Sequence, residues 1–540
     1  MKKLTLISLF LLTAFSCKKS FLVEDPKSIL TPDNLYVNKA GFETGIYGLL
    51  NLVRRERQGI ADPVNDLTIT AAVIGVDNAF SNFPAGGAPE QVFNDFGVFL
   101  NPSNSYVRKV WEWLYLVINS ANTIIDRSEQ PGIVWTMAEK NRIVGEAKLI
   151  RAWAYRHLTY LYGDVPLTIH ESTGSNIKTD WVRNSVYSVR KQMEEDLLFA
   201  ETNLPTVIPA TEEGRLTKGV ATHFLSELYL ALKDYSAAKT KAQSLINDPT
   251  YKLITNRYGV NASQPGTPFS DMFIEGNSLR SQGNTEVLWA FNNEYLSLGG
   301  DQNIMRRWWV NRYDRITING KTPITFSIEN GGRGIGRFAV TKYALALYDT
   351  SDDRGKIFSW RWYWIANNAA SLPLGVKLGD TIRLDTSDIE QYNLYEWPNT
   401  RKWDWAPAIA SDLQQSSNYN DQIYIRLAET YLILAESQFY LGDLNGAAST
   451  INILRARSKA KAIMPSQVTL DFILDERSRE LVTEEHRRYT LLRTGTWYSR
   501  TKKYNNYATN KITLRDTILP IPQSVIDANL TKPMNQNNGY

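Results

Sequence analysis

Apolar residues recur every three to four positions over Trp111 to Ile125, Arg142 to Tyr162, Thr179 to Leu198, Gly219 to Leu245 and Ala428 to Leu454. That spacing lines one face of a helix and predicts an amphipathic helix or helix pair over each stretch. Two of these stretches read as copies. Gly219 to Ala238 lies without gaps on the segment starting at Ala428, so that Leu225, Glu227, Leu232, Asp234, Ala238 and Leu245 coincide with Leu434, Glu436, Leu441, Asp443, Ala447 and Leu454. Each copy predicts a helix, a tight turn (Leu232-Lys233-Asp234 or Leu441-Gly442-Asp443) and a second helix opening on small residues. Alanines at the crossing let two antiparallel helices approach closely, the logic of a tetratricopeptide hairpin. The helix ending at Tyr162 runs into Gly163-Asp164-Val165-Pro166, a stop built from a glycine and a nearby proline. Helical hairpins are therefore expected over about 100–250 and 420–495.

Between about 255 and 420 the texture changes. Gly, Pro, Asn and Ser punctuate short segments such as Glu286 to Phe291 and Phe358 to Ile365, which predict short strands joined by long loops. Long loops in a compact protein are often functional, and binding loops are usually held by a rigid scaffold. The expected architecture is mostly α: a helical repeat frame carrying an irregular, loop- and short-strand-rich insert.

The amino terminus changes the picture of where the chain works. Met1-Lys2-Lys3 precedes an apolar run from Leu4 to Phe15, then Ser16 and the chain's only cysteine, Cys17. Residues 1–16 predict a secretory signal peptide, too short to span a bilayer, which takes about 20 apolar residues. A cysteine just after the cleavage point is the acceptor of bacterial lipoprotein processing, and Cys17 has no disulfide partner within the chain. Residues 17–540 are expected to form one domain, tethered through lipid at Cys17. Without Lys2 and Lys3 the 60 basic residues fall to 58 against 56 acidic ones, a balance that gives no electrostatic reason to expect nucleic acid.

Enzyme constellations are scarce. Four histidines occur, His157, His170, His223 and His486, with no His-Glu-x-x-His pair, so no metal site and no cofactor are expected. Gly331-Gly332-Arg333-Gly334-Ile335-Gly336 lacks the Lys-Ser/Thr of a phosphate cradle and predicts a flexible loop. Asp349 to Arg354 predicts a turn or helix cap rather than a calcium loop. Glu484-Glu485-His486 is expected on a solvated, salt-bridged helix face.

Aromatic content is the compositional outlier, with 15 Trp, 28 Tyr and 19 Phe. Aromatic faces stack on the C–H faces of sugar rings while polar neighbours bond the hydroxyls. Three clusters have this composition. Trp308 and Trp309, with Arg312 and Tyr313, lie in loop-like sequence, where alternation along an extended segment would turn one ring to solvent. Asp77, Asn78, Phe80 and Phe83 mix polar side chains with rings before Pro84-Ala85-Gly86-Gly87. Trp360, Trp362 and Trp364 would share one strand face about 6–7 Å apart, as a stacking ladder or, the favoured reading, as the buried face of a small sheet.

Five places in the chain carry a family resemblance: Phe21 to Pro26 after the cysteine; Gly145 to Tyr155 with Leu161 to Pro166; Arg426 to Glu436; Glu476 to Leu481 through Arg487 to Arg493; and Leu519 to Pro522 with Asn538-Gly539-Tyr540. In this order they resemble the SusD/RagB family of Bacteroidetes surface lipoproteins, end to end over the mature chain. His486 departs from the glycine usual in the family, and Tyr489-Thr490 from a Phe-Asp pair. The resemblance implies a SusD-like helical fold with tetratricopeptide-like repeats. It implies an outer-membrane lipoprotein facing the cell exterior that captures oligo- or polysaccharide and passes it to a SusC-like TonB-dependent transporter, breaking no bond. Peptide capture is the alternative within the family, and a glycoside hydrolase the alternative outside it. Asp77, Asn78, Phe80, Phe83, Trp308, Trp309, Arg312 and Tyr313 are the expected ligand contacts. Trp397, Trp403 and Trp405 look structural in the family.

Overall fold

The computed structural model describes residues 31–540, apart from 58–69, 83–91, 296, 298–299, 301–302, 386–394, 405–412, 414–418 and 508–510. Cys17, Phe83 and Trp405 thus lie outside the described residues. Eleven helices make the frame: α1 Lys39–Arg54, α2 Ser105–Arg127, α3 Met137–Tyr162, α4 Val186–Asn203, α5 Lys218–Ala231, α6 Tyr235–Ile246, α7 Leu427–Tyr440, α8 Leu444–Arg457, α9 Leu470–Leu481, α10 Arg487–Arg493 and α11 Trp497–Tyr504. Among the described residues, no helix is long and apolar enough to cross a membrane.

Each predicted helix is present, and local chemistry fixes its ends. Thr136 and Glu139 form a reciprocal capping box at the start of α3, and Gly163 ends it with φ +75°. The two repeat copies close in the same way. Asp234 and Asp443 each donate their backbone N–H five residues back, to the carbonyls of Tyr229 and Gln438, both at 2.9 Å. The same aspartates cap the following helices, accepting from Ala237 N at 3.0 Å and Gly446 N at 2.8 Å. Both turns need a left-handed residue, which is Lys233 at φ +62° in one copy and Gly442 at +77° in the other. The shared glutamates also repeat a role: Glu227 holds Arg156, and Glu436 holds Arg493.

α3 packs between α2 and α4, and α6 packs on α7, which joins the α5–α6 and α7–α8 hairpins into one helical layer. One expected boundary moves. Residues 179–185 are extended and Ser185 caps α4, because Asn184 pairs with Val165 and the Trp181 amide donates to Asn529.

Among the described residues, strands form four two-stranded antiparallel ribbons, each with at least one strand from the insert. With β1 Ala79–Ser81, β2 Val287–Phe291, β3 Phe338–Val340, β4 Trp360–Arg361, β5 Tyr363–Ile365, β6 Thr381–Arg383, β7 Asn399–Thr400 and β8 Gln422–Arg426, the pairs are β1–β3, β2–β8, β4–β7 and β5–β6. β8 runs directly into α7, so β2–β8 welds the insert to the repeat frame. At that weld Arg426 is buried and bonded to Glu286, Glu480 and Glu484. Arg457 holds Glu286 and Glu480, Arg354 holds Asp352, Glu476 and Glu480, and Lys402 reaches Glu484.

This network corrects one expectation. Glu484, Glu485 and His486 are buried, in the turn between α9 and α10, and not on a solvated face. Charge alternation looks the same whether water or buried arginines compensate it; here the arginines do. Asp349 and Asp352 do serve as turn and cap acceptors, bonding the backbone N–H groups of Ser351 and Arg354.

Candidate functional site

The structure buries the described residues of the first two aromatic clusters, Arg312 apart. Trp308 and Trp309 lie in the short helix Met305–Trp309, not in an extended segment, so alternation does not apply. Both are buried, at 0% and 4% exposure, with ring centroids 5.0 and 5.3 Å from Phe338 on β3. The expectation that one faces solvent is therefore corrected. Tyr313 is buried too, donating its hydroxyl to the Gly332 carbonyl at 2.5 Å and stacking on Trp364. Arg312 stays partly exposed and pairs with Asp314 at 2.7 Å.

Asp77 has 0% exposure and accepts from Arg487 at 2.8 and 2.7 Å and from Arg500 at 2.8 Å. Burial alone would raise its pKa, but the two guanidiniums outweigh it and hold the carboxyl below its usual range. Asn78 donates to Ser478 at 3.1 Å, and Phe80 stacks on Tyr507 at 3.7 Å. These side chains bind the β1–β3 ribbon to α9, α10 and α11. They offer no free face to a ligand.

The third cluster divides between ribbons. Trp360 on β4 packs in the main core and Trp364 on β5 in a separate small core, both buried, while Trp362 between them is partly exposed. No ladder results; Trp360 and Trp364 are buried as the favoured reading expected, but in two ribbons rather than on one sheet face. Trp397 and Trp403 are buried as well.

The open cleft of the insert lies beside these strands. It encloses about 710 Å³ and is lined by Asn261, Gln264, Ser270, Phe273, Glu275, Glu329, Phe358, Arg361, Tyr363, Arg401 and Asp404, among others. One wall stands on a satellite core of Ile254, Phe269, Met272, Phe273 and Leu279, where Thr267 caps the turn Pro268–Asp271. The other wall comes from β4 and β5, which place Arg361 and Tyr363, and from the chain after β7, which places Arg401 and Asp404. The rings of Phe358 and Tyr363 are partly exposed. Arg383 sits 5.4 Å from the Tyr363 ring centre, within cation–π range.

Arg361 is buried. It binds Asp404 and donates to the Glu329 carbonyl at 3.0 Å, tying two walls together. Gly331, at φ +90°, makes the close approach possible: a Cβ there would lie 2.6 Å from the Asp404 carbonyl oxygen. The glycine-rich segment is thus a loop as expected, but one seated tightly against its neighbours.

None of these lining residues stood in the expected contact set. Phe358 and Tyr363 belong to the aromatic run Phe358 to Ile365, in which they flank and interleave the three tryptophans. Chemically, the cleft offers two ring faces beside amides, carboxylates and a guanidinium, which suits a polyol with apolar faces.

A second polar cluster lies in the core. Ligand-type atoms of Glu56, His157 and His486 fall within 4.8 Å of one another, all three side chains buried. Arg156 donates to His486 Nδ1 at 3.1 Å, and a guanidinium has no lone pair to offer in return. The imidazole proton is then on Nε2, facing Glu56, which is the hydrogen bond seen. With that nitrogen protonated, the set does not suit a cation. His486 is part of a hydrogen-bonded polar core.

The family model described as "SusD family" matches residues 381–540, and one described as "Starch-binding associating with outer membrane" matches 90–230. Together they span more than half of the chain, in the order of the earlier resemblance. The chain belongs to the SusD family. SusD-like protein P25 of Formosa agariphila is 24% identical over 98% of this chain and 97% of its own length. A SusD-like protein of Bacteroides ovatus is 23% identical over 92% of the chain and 82% of its own. Among solved structures, a SusD homolog from Bacteroides thetaiotaomicron aligns with a TM-score of 0.73 at 18% identity, covering 95% of this chain and all of that one. A laminarin-binding SusD-like protein aligns at 0.69 and 22% identity, covering 93% and 100%. At these identities the solved structures show a shared SusD-like helical fold.

Proposed function

We propose that this SusD-family protein is a non-catalytic glycan-capture lipoprotein, and that the cleft between the satellite core and β4–β5 is where it holds its ligand. The observation that carries the reading is the pairing of partly exposed Phe358 and Tyr363 rings with hydroxyl-bonding groups in one open cleft of about 710 Å³. The matched description of starch binding at the outer membrane and the relatives named for laminarin and surface glycan binding support it. In this reading Cys17 carries the lipid, the body faces the cell exterior, and the cargo passes unbroken to a SusC-like TonB-dependent transporter.

The test is affinity electrophoresis of the purified protein through gels containing single polysaccharides, with assay of reducing ends alongside. Retarded migration without new reducing ends is expected. Release of reducing ends would make the protein a hydrolase, and retention by peptides alone would move it to the peptide-capturing members of the family.

A further inference from the structure

We infer that the cleft selects uncharged glycans and discriminates against those bearing carboxylate or sulfate groups, an inference that rests on glycan capture at this site. The two arginines of the lining are already committed. Arg361 is buried, with Nε on Asp404 and Nη1 on the Glu329 carbonyl at 3.0 Å. Arg401 lies 3.6 Å from the other oxygen of Asp404 and donates to the Ile357 carbonyl at 3.3 Å. Asp404 thus spends its charge on both of them. Glu275 and Glu329, by contrast, are exposed residues with no ion-pair partner within 4 Å among the described residues, although the Asn420 side chain hydrogen-bonds Glu275. Among the charged lining residues, Arg361 and Arg401 stand against Glu275, Glu329 and Asp404, so the surplus is negative.

An anionic sugar entering here meets lining carboxylates, and the exposed Arg383 guanidinium lies outside the lining, over the Tyr363 ring. Anion recognition normally uses an arginine fork aimed at the ligand; here the Arg361 fork points into the protein, and Arg401 is drawn toward Asp404 and the Ile357 carbonyl. Unpaired carboxylates suit neutral sugars instead, because each accepts hydrogen bonds from hydroxyl pairs. Discrimination then comes from repulsion as much as from attraction.

The experiment runs the intact protein at pH 7.5 against two panels. One holds neutral polymers (a β-glucan, starch, xylan, mannan); the other holds alginate, polygalacturonate and carrageenan. At least one neutral polymer is expected to be retained, at least tenfold more tightly than any anionic one, and with affinity unchanged between 50 and 500 mM salt. Replacing both acids, Glu275→Gln with Glu329→Gln, is expected to narrow that gap at least threefold. Equal or tighter retention of an anionic polymer, or a gap that the double variant leaves intact, would overturn the inference while leaving glycan capture standing. Retention of neither panel would instead remove the capture reading on which it rests.

Discussion

Glu480 is the best single place to test how the insert is joined to the repeat frame. Its carboxylate receives Arg354 at 2.9 Å, Arg426 at 2.5 Å and Arg457, all with buried side chains. Glu480→Gln keeps the shape but removes the charge and turns an amide N–H₂ toward a guanidinium donor. Breaking a buried ion pair by removing one partner costs about 3–5 kcal/mol. Each arginine keeps another acid, Arg354 on Asp352, Arg457 on Glu286, and Arg426 on Glu286 and Glu484. The expected loss is therefore about 3 kcal/mol, the low end of that range. Equilibrium urea unfolding followed by far-UV circular dichroism measures it. Burial alone would raise the Glu480 pKa, but Arg457, Arg426 and Arg354 outweigh it and hold the group well below its ordinary 4.5. A depressed acid contributes stability that is fully present above the unfolded value and is lost as pH falls toward the folded one. The gap between wild type and variant should therefore be complete above pH 4.5 and close below it. A loss under about 1 kcal/mol, or a gap that stays constant from pH 7 to 3, would refute the network's role.

Three further outcomes follow from named positions. Lys233→Gly should stabilise the first repeat turn by up to about 1 kcal/mol and Gly442→Ala should destabilise the second by about as much, because both positions have left-handed backbone and nothing crowds Gly442; differential scanning calorimetry would check the opposite signs. Asp421 is pushed up to about 6, first by burial and then by the charges of Glu213 and Glu275, so its ionised form costs the folded state stability at neutral pH. Asp421→Asn should raise the melting temperature at pH 7.5, and the gain should fade as pH drops from 6 toward the ordinary 3.8. Trp308→Ala, at a fully buried ring, should cost about 3–5 kcal/mol in urea unfolding.

The helical frame was legible in the sequence because a 3.6-residue period survives any tertiary context that buries one face. The repeat was legible because the same aspartate has to cap the same turn twice. Two things were not. Glu484, Glu485 and Glu480 carry the pattern of a solvated face, and only the folded arrangement of Arg426, Arg457 and Lys402 shows that arginines take the place of water. Trp308 and Trp309 read as loop residues, since five helical residues are too few to show a period. The cleft escaped for a different reason: its walls come from 261–275, 328–329, 358–363 and 401–404, segments far apart in sequence, of which β4–β7 pairs the third with the fourth and Arg361 ties in Glu329.

Retention of the Phe358→Ala, Tyr363→Ala double variant in polysaccharide gels tests the capture cleft most directly. Loss of ring stacking on a sugar, about 1–2 kcal/mol for the pair, should weaken binding about five- to thirtyfold. The melting temperature should stay within a few degrees of wild type, since both rings are partly exposed. Undiminished retention by a stably folded double variant would contradict the assignment of this cleft as the place where the glycan is held.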